Sequence, residues 1–503
     1  MNLEKYKYNL FKRILINLYE KIKNIPVKIK KFFNTKIPNI FKNIYTKIKN
    51  VLLIIFNTFK EGNFYTKISF FIIGIGHFKY KKIFKGIFYL FFEIIFFVYM
   101  FFFGWKYLSL FKTLGVVETS DNFYNEETGV YERVWGDNSM LILLYSVITM
   151  FFIVSYIYVW YQNIKENKYL KELSEINLLE SHNDDKIRYM ANKNYYKILL
   201  SIPTAGLIIF TILPIIFMIL VAFTNWDVMH YPPEKLFTWV GWNNFIELLG
   251  GGVTADTKLF FNTFKHVLLW TLIWAIFATF TNYFLGMLVA MLINRKGIKF
   301  KKLWRTILIF TIAVPQFVSL LLMSKMLADK GIINILLEKY GFIQEYIPFL
   351  SDSTIAKITI IIVNIWIGVP YTMLITTGIL MNIPSDLYEA AKIDGASPFK
   401  MYFRITLPYI VFVTGPYLVS TFIGNINNFN VIYLLTGGNP KNLDYQFAGD
   451  TDLLITWLYK LTLDNSNFKL ASVIGLIVFI IIAFISLIFY SKTSAVNKEG
   501  DFN

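Results

Sequence analysis

Tyr388-Glu389-Ala390-Ala391-Lys392-Ile393-Asp394-Gly395-Ala396 is followed, after nine residues counted from Gly395, by Ile405-Thr406-Leu407-Pro408. The first stretch reads as a short helix ended by glycine. Glu389 opens its core with a charge, and Ala390 and Ala391 are small enough to let another surface dock closely. Gly395 permits a turn where a side chain would clash, and Pro408 restarts structure in the next segment. Long apolar segments lie on both sides, so the stretch is a structured loop facing water.

Composition fixes the setting of that loop. The chain of 503 residues is 55% hydrophobic and 18% aromatic, with a mean hydropathy of +0.49, well beyond an ordinary soluble domain. Its apolar residues fall in blocks of about 20, the length that spans a hydrocarbon core as a helix. The fold class is therefore all-α, a polytopic membrane protein. There is no cysteine, which removes disulfides and thiolate metal sites, and the four histidines are widely scattered. The net charge of +17 sits mostly at the ends of apolar blocks and in the N-terminal arm, which suits anionic lipid headgroups better than nucleic acid.

Along the chain, residues 1–85 form a basic region. Leu10, Ile14, Leu18 and Ile22 recur at helical spacing among lysines, the pattern of an amphipathic helix on a membrane surface, although Pro26 and Pro38 would interrupt a long one. The stretch from Ile68 to His77 is apolar but too short to span, and reads as an interfacial or re-entrant turn. Residues 86–196 carry the first two spans and a linker, and residues 197–503 carry six more. The eight spans are expected near 86–105, 139–161, 198–223, 266–293, 306–327, 354–381, 408–435 and 470–490. Arg295, Lys296, Lys299, Lys301, Lys302 and Arg305 place the loop between the fourth and fifth spans in the cytoplasm. Counting outward puts both termini and the loop at 382–408 on the same side. The loops 106–138, 224–265, 328–353 and 436–469 then face outward.

Polar residues inside the spans are the site candidates. Glu93 lies in the middle of the first span, where a carboxylate costs several kcal/mol unless paired or protonated. It is either functional or a structural group bonded to a Tyr or Asn inside the bundle. The sixth span contains Asn364-Ile365-Trp366-Ile367-Gly368-Val369-Pro370-Tyr371, where Pro370 is expected to break the helix and Gly368 to admit a backbone or ligand. The seventh contains Thr421-Phe422-Ile423-Gly424-Asn425-Ile426-Asn427-Asn428, in which Thr421, Asn425 and Asn428 would share one helical face. Amides on one face beside aromatic rings suit a sugar, whose hydroxyls they bond and whose C–H faces the rings cover. The same amides would serve equally as hydrogen bonds between helices.

The spacing E-A-A, three residues, G, nine residues, I-x-L-P resembles the signature of membrane subunits of binding-protein-dependent ABC importers. Over roughly residues 197–503 the chain is similar to the MalF-type permeases of maltose/maltodextrin importers. Ala222-Phe223-Thr224-Asn225-Trp226-Asp227, Leu269-Trp270-Thr271, Val314-Pro315-Gln316 and Asn427-Asn428-Phe429 running to Leu435-Thr436-Gly437-Gly438 carry that similarity. Gly449-Asp450-Thr451-Asp452-Leu453-Leu454 and the ending Lys498-Glu499-Gly500-Asp501-Phe502 resemble the Gram-positive branch. The resemblance implies a type I ABC importer permease fold in a bacterial cell membrane. It implies that Glu389, Ala390, Ala391, Asp394, Gly395, Leu407 and Pro408 form the coupling helix region that seats in a cytoplasmic ATPase. It also implies a sugar held mid-membrane by Ile367, Gly368, Tyr371, Thr421, Gly424, Asn425 and Asn428; a family member carries an aromatic ring where this chain has Gly424.

The expected function is thus the permease subunit of a maltose/maltodextrin importer, with a galacto- or arabinogalacto-oligosaccharide importer as the alternative within the class. No G-x-x-x-x-G-K-[ST] phosphate loop occurs in the chain, so it is not expected to be an enzyme, and ATP and Mg would sit on a separate ATPase. The implied partners are a second homologous permease, two ATPase copies, an extracellular solute-binding protein, lipids and the oligosaccharide; nucleic acid is not among them. A membrane-embedded glycan-processing enzyme would require paired carboxylates about 5–9 Å apart, and no such pair has a matching context. Apart from Glu93, the core spans carry too little charge for a proton-coupled carrier.

Overall fold

A computed structural model describes residues 37–125, 129–175, 195–250, 254–295 and 297–490. The basic positions before residue 37, most of the linker after residue 175, and the ending at 498–502 lie outside these. The chain divides into two compact units, one of residues up to 109 with 145–208, the other of residues 110–144 with 209–503.

The first unit begins with α1, Ile37–Glu61, followed by the short helices α2, Phe64–Ile68, and α3, Ile75–Lys79. Pro38 falls in the first turn of α1, where its missing N–H has no helical partner to lose, so a long helix forms despite it. Next comes α4, Ile83–Tyr99, which runs through a wider turn at Met100–Gly104 to Leu110. Then follow α5, Ser139–Glu175, and α6, Tyr195–Leu207. Ser69 and Gly74, at the two ends of the segment between α2 and α3, make a turn rather than a span. That turn is built: Asn163 of α5 accepts from the Gly74 amide at 3.1 Å and donates to the Ser69 carbonyl at 2.9 Å.

The second unit holds α7, Leu213–Val221; α8, Ala255–Asn294; α9, Lys301–Ala313; α10, Gln316–Met326; and α11, Ser353–Met381. It continues with α12, Ser385–Ile393; α13, Leu407–Ile426; α14, Phe429–Leu435; and α15, Phe468–Tyr490. The segment 110–144 adds an antiparallel hairpin of β1, Ser120–Asn125, and β2, Val130–Val134, a small departure from an otherwise helical chain. Among the described residues, seven helices are long and apolar enough to cross a membrane, or eight if the bent pair α9–α10 is one span.

Several span boundaries differ from the sequence reading: α8 begins at Ala255 and not near 266, and α5 runs on to Glu175, past 161. The stretch near 306–327 is two helices bent by 88°, because Pro315 excludes Val314 from helical backbone and supplies no donor. The stretch expected at 408–435 ends at Ile426, and α14 starts afresh after Asn428. At its other end it begins ten residues earlier, since helical backbone runs from Pro398 through 402–406 into α13. Pro408 therefore sits in the first turn of α13 and does not restart structure after a break.

One core of the second unit lies on the seam between α8 and α11. Trp270, Trp274 and Ala278 of α8 pack with Ile360 and Val363 of α11 and with Val431, Ile432 and Leu435 of α14. Lipid tails are as apolar as these side chains, so close contact rather than escape from water favours the seam, and small residues permit it. Gly286 faces Thr372 and the Val369 carbonyl, and Gly368 faces the amide of Asn282, so each helix contributes one glycine to the approach. Pro370 does not break α11, which runs continuously from Ser353 to Met381.

Candidate coupling helix and translocation site

The short helix α12 stands between the crossing helices α11 and 398–426. Pro384 precedes it with extended backbone, and Asp386 in its first turn favours the positive end of the helix dipole. Its C-terminus is closed by Gly395 at φ +72°, with the Ala396 amide donating to the Ala391 carbonyl at 2.9 Å. That six-to-one bond with glycine in the left-handed region is a Schellman ending. A Cβ at Gly395 would meet nothing within 4 Å, so the requirement is one of backbone conformation, not of space. The hydroxyls of Tyr388 and Thr406 lie 2.8 Å apart and tie α12 to the turn that leads into α13.

Glu389, Ala390, Asp394 and Gly395 are exposed, and Ala391 is half-buried. Around them Ile393 is 87% and Phe399 71% exposed, with Leu387 and Met381 also open. These large apolar side chains beside charged ones form an exposed apolar surface, the kind of patch that marks interaction sites. Leu407 and Pro408 belong to α13 itself, and Leu407 packs with the Tyr283, Met287 and Ile410 cluster. They position the loop and are not part of its exposed tip.

The mid-membrane candidates separate into two groups. Tyr371 of α11 is 57% exposed, Gly424 of α13 is exposed with open space beside it, and Thr421 is half-buried. Ile367 instead packs against the tryptophan core, and the room at Gly368 is filled by Asn282. Asn425 is buried: its amide donates to the Thr279 hydroxyl at 2.9 Å, and its carbonyl accepts from the Trp274 indole at 3.1 Å. Asn428 does not share a helical face with Thr421, because the helix stops before it. It caps α14 by accepting from the Val431 amide at 3.2 Å, and it donates to Asn425 at 3.3 Å. The two amides thus meet, but through a cap and not through one helix face.

Three polar residues escaped the sequence reading as a set. Asn282, Asn364 and Thr376 are buried, and Asn282 Oδ1, Asn364 Nδ2 and Thr376 Oγ1 have no hydrogen-bond partner. Isolated asparagines in apolar blocks were the available signal, since an unsatisfied amide inside a bundle is costly. Glu93, in contrast, is settled. Its carboxylate accepts from the Ile73 amide at 2.9 Å and from the Tyr156 hydroxyl at 3.0 Å, so it pins the turn between α2 and α3 to α4 and α5. Both oxygens are occupied in structural bonds.

The second unit is thus a mostly helical membrane unit with an exposed short helix between two of its crossing helices. The chain belongs to the family described as binding-protein-dependent transport system inner membrane component, whose profile matches residues 282–494. It is 33% identical over 430 residues to the galactooligosaccharides transport system permease protein GanP of Bacillus subtilis, covering 85% of this chain and 97% of that protein. It is 34% identical over 438 residues to the maltodextrin transport system permease protein MalC of Streptococcus pneumoniae, covering 85% and 95%. Against the maltose/maltodextrin permease MalF of Escherichia coli it is 33% identical over 269 residues, 52% of this chain and 51% of that protein. The near full-length matches place it with the Gram-positive branch. A bacterial alginate ABC transporter, crystallised with an alginate pentasaccharide-bound periplasmic protein, superposes with a TM-score of 0.50 at 21% identity, over 62% of this chain and 97% of that one. That likeness confirms the permease fold.

Proposed function

We propose that this chain is one permease half of an ATP-driven importer for maltodextrin-type oligosaccharides delivered by an extracytoplasmic binding protein. The observation that carries the reading is α12: latched by Tyr388 and Thr406, closed by Gly395, and capped with exposed Leu387 and Ile393. One such helix supports half a transporter, so a second permease of the same kind and two ATPase copies complete it. The basic loop of Arg295–Arg305 favours a cytoplasmic position for that loop, hence for α12 and for both termini. Alternating access follows: ATP draws the ATPases together, α12 transmits the motion to α11 and α13, and hydrolysis resets them.

On this reading the sugar passes along Tyr371, Thr421 and Gly424, with Ile367 and Gly368 setting the wall and the Asn425–Asn428 pair offering amides once the helices shift. The similarity to GanP favours a galactooligosaccharide as the second reading. The test is ATP-dependent uptake into vesicles holding the chain with its copurified partners and binding protein. Maltodextrin is expected to accumulate and to compete out a β-galacto-oligosaccharide. Uptake of the galactoside alone would transfer the assignment to the second reading, and uptake of neither would remove both.

A further inference from the structure

The stripe Tyr45, Ile48, Leu52, Phe56 and Phe59 recurs along α1 at spacings of three and four, yet these side chains are between 43% and 69% exposed. Val51, Ile54, Ile55 and Thr58 are the positions turned inward. Lys42, Lys49 and Lys60 fall along one border of the exposed stripe, the inward positions adjoin the other, and Asn43, Asn50 and Asn57 lie on the polar side. No acidic residue occurs between 37 and 60. Lysines along one edge of an apolar face, with the centre of the polar face uncharged, let the ammonium groups reach headgroups while the stripe sinks among acyl chains.

The depth of the helix is fixed at its end. Lys171 of α5 donates to the Glu61 carbonyl at 2.6 Å, and the rings of Phe59 and Phe70 meet at 5.2 Å, with Phe70 in turn against Trp160. α5 crosses the membrane, and the first charge after its apolar run is Lys165. Lys171 lies six residues on, roughly 9 Å at the helical rise, which is near the outer edge of the headgroup layer.

We propose that α1 is a membrane-surface helix that lays the Tyr45–Phe59 stripe into the bilayer interface and holds anionic lipid through its border lysines. This does not depend on the transport reading. The chain has no native cysteine, so single cysteines at Leu52 and Asn50 in the full-length protein take an environment-sensitive fluorophore cleanly. Proteoliposomes of phosphatidylcholine alone, and with phosphatidylglycerol added, are compared using a lipid-borne quencher and aqueous iodide. The Leu52 probe should be quenched by lipid and shielded from iodide, more so with phosphatidylglycerol, and the Asn50 probe should behave in reverse. Changing Lys42→Gln, Lys49→Gln and Lys60→Gln should weaken the phosphatidylglycerol effect by roughly fivefold per lysine in the seated-to-free ratio. Equal iodide access at the two positions would overturn the proposal. So would lipid quenching at Leu52 that ignores phosphatidylglycerol.

Discussion

Gly395 and Gly368 stand in similar sequence settings, each next to residues that suggest a break, but the structure uses them oppositely. At Gly395 a Cβ would meet open space, and only a positive φ requires glycine. At Gly368 the backbone is ordinary helix, and a Cβ would run into Asn282. One region is shaped for something outside the chain, the other for a neighbour within it. On the proposed function, α12 and its Gly395 ending would lose function without losing fold, and the α8–α11 seam would lose both together.

Gly368→Leu should have the largest effect. Four extra carbons have no room beside Asn282, and overpacking of this kind costs about 1–3 kcal/mol or more. The detergent-solubilised chain should aggregate on size exclusion, with partial recovery when Asn282→Ala is added. A well-folded Gly368→Leu protein that simply fails to move sugar would break the comparison and return Gly368 to a ligand cavity.

Gly395→Val should cost uptake while leaving the size-exclusion profile of the membrane chain unchanged. Forcing a β-branched residue into the left-handed region costs on the order of 1–3 kcal/mol, all of it within the loop. Gly395→Asn, which tolerates that region, should retain most uptake. If Val and Asn transport equally well, the backbone argument fails.

Glu93→Ala sharpens the contrast in the first unit. It leaves the Ile73 amide and Tyr156 hydroxyl without their acceptor, at about 1–3 kcal/mol for a buried group, and should lower the thermal midpoint. Glu93→Gln keeps an acceptor and should change the midpoint and uptake little. Loss of uptake in a thermally normal Glu93→Gln would restore a functional carboxylate.

The smallest effect concerns pH. Burial alone would raise the Asp227 carboxyl, but hydrogen bonds and charge from His230 and Lys469 outweigh it and hold the group below the usual carboxylate range. A depressed folded pKa means its stabilisation is present above the unfolded value and is lost as pH falls through the folded one. The thermal midpoint should therefore drop on acidification, and Asp227→Asn should flatten that drop. Equal acid sensitivity in the two proteins would remove this pair from the account.

Much of this was legible in the residues. Apolar block lengths predicted the crossing helices, and Glu389-Ala390-Ala391 with Gly395 predicted a short helix with a glycine ending. What escaped was set by contacts distant in sequence. Nothing near Gly368 reveals that Asn282 fills its space, and nothing near Pro370 reveals that packing against α8 keeps the helix continuous. Pro315 and Asn427 were visible as residues, but the apolar blocks carried the expected spans straight through the bend at one and the helix break at the other. Glu93 was recognisable as costly inside a span, whereas its Ile73 amide partner, a backbone group, leaves no mark in sequence.

The central claim is that α12 is the surface that an ATPase grips. With no native cysteine in the way, Leu387→Cys can carry a photo-activated cross-linker in native membranes, with the same probe at Ser351, in the loop proposed to face outward, as control. The account predicts that Leu387 captures an ATP-hydrolysing subunit, that the yield changes when ATP is added, and that Ser351 captures none of it. Capture of that subunit from Ser351 and not from Leu387 would contradict it.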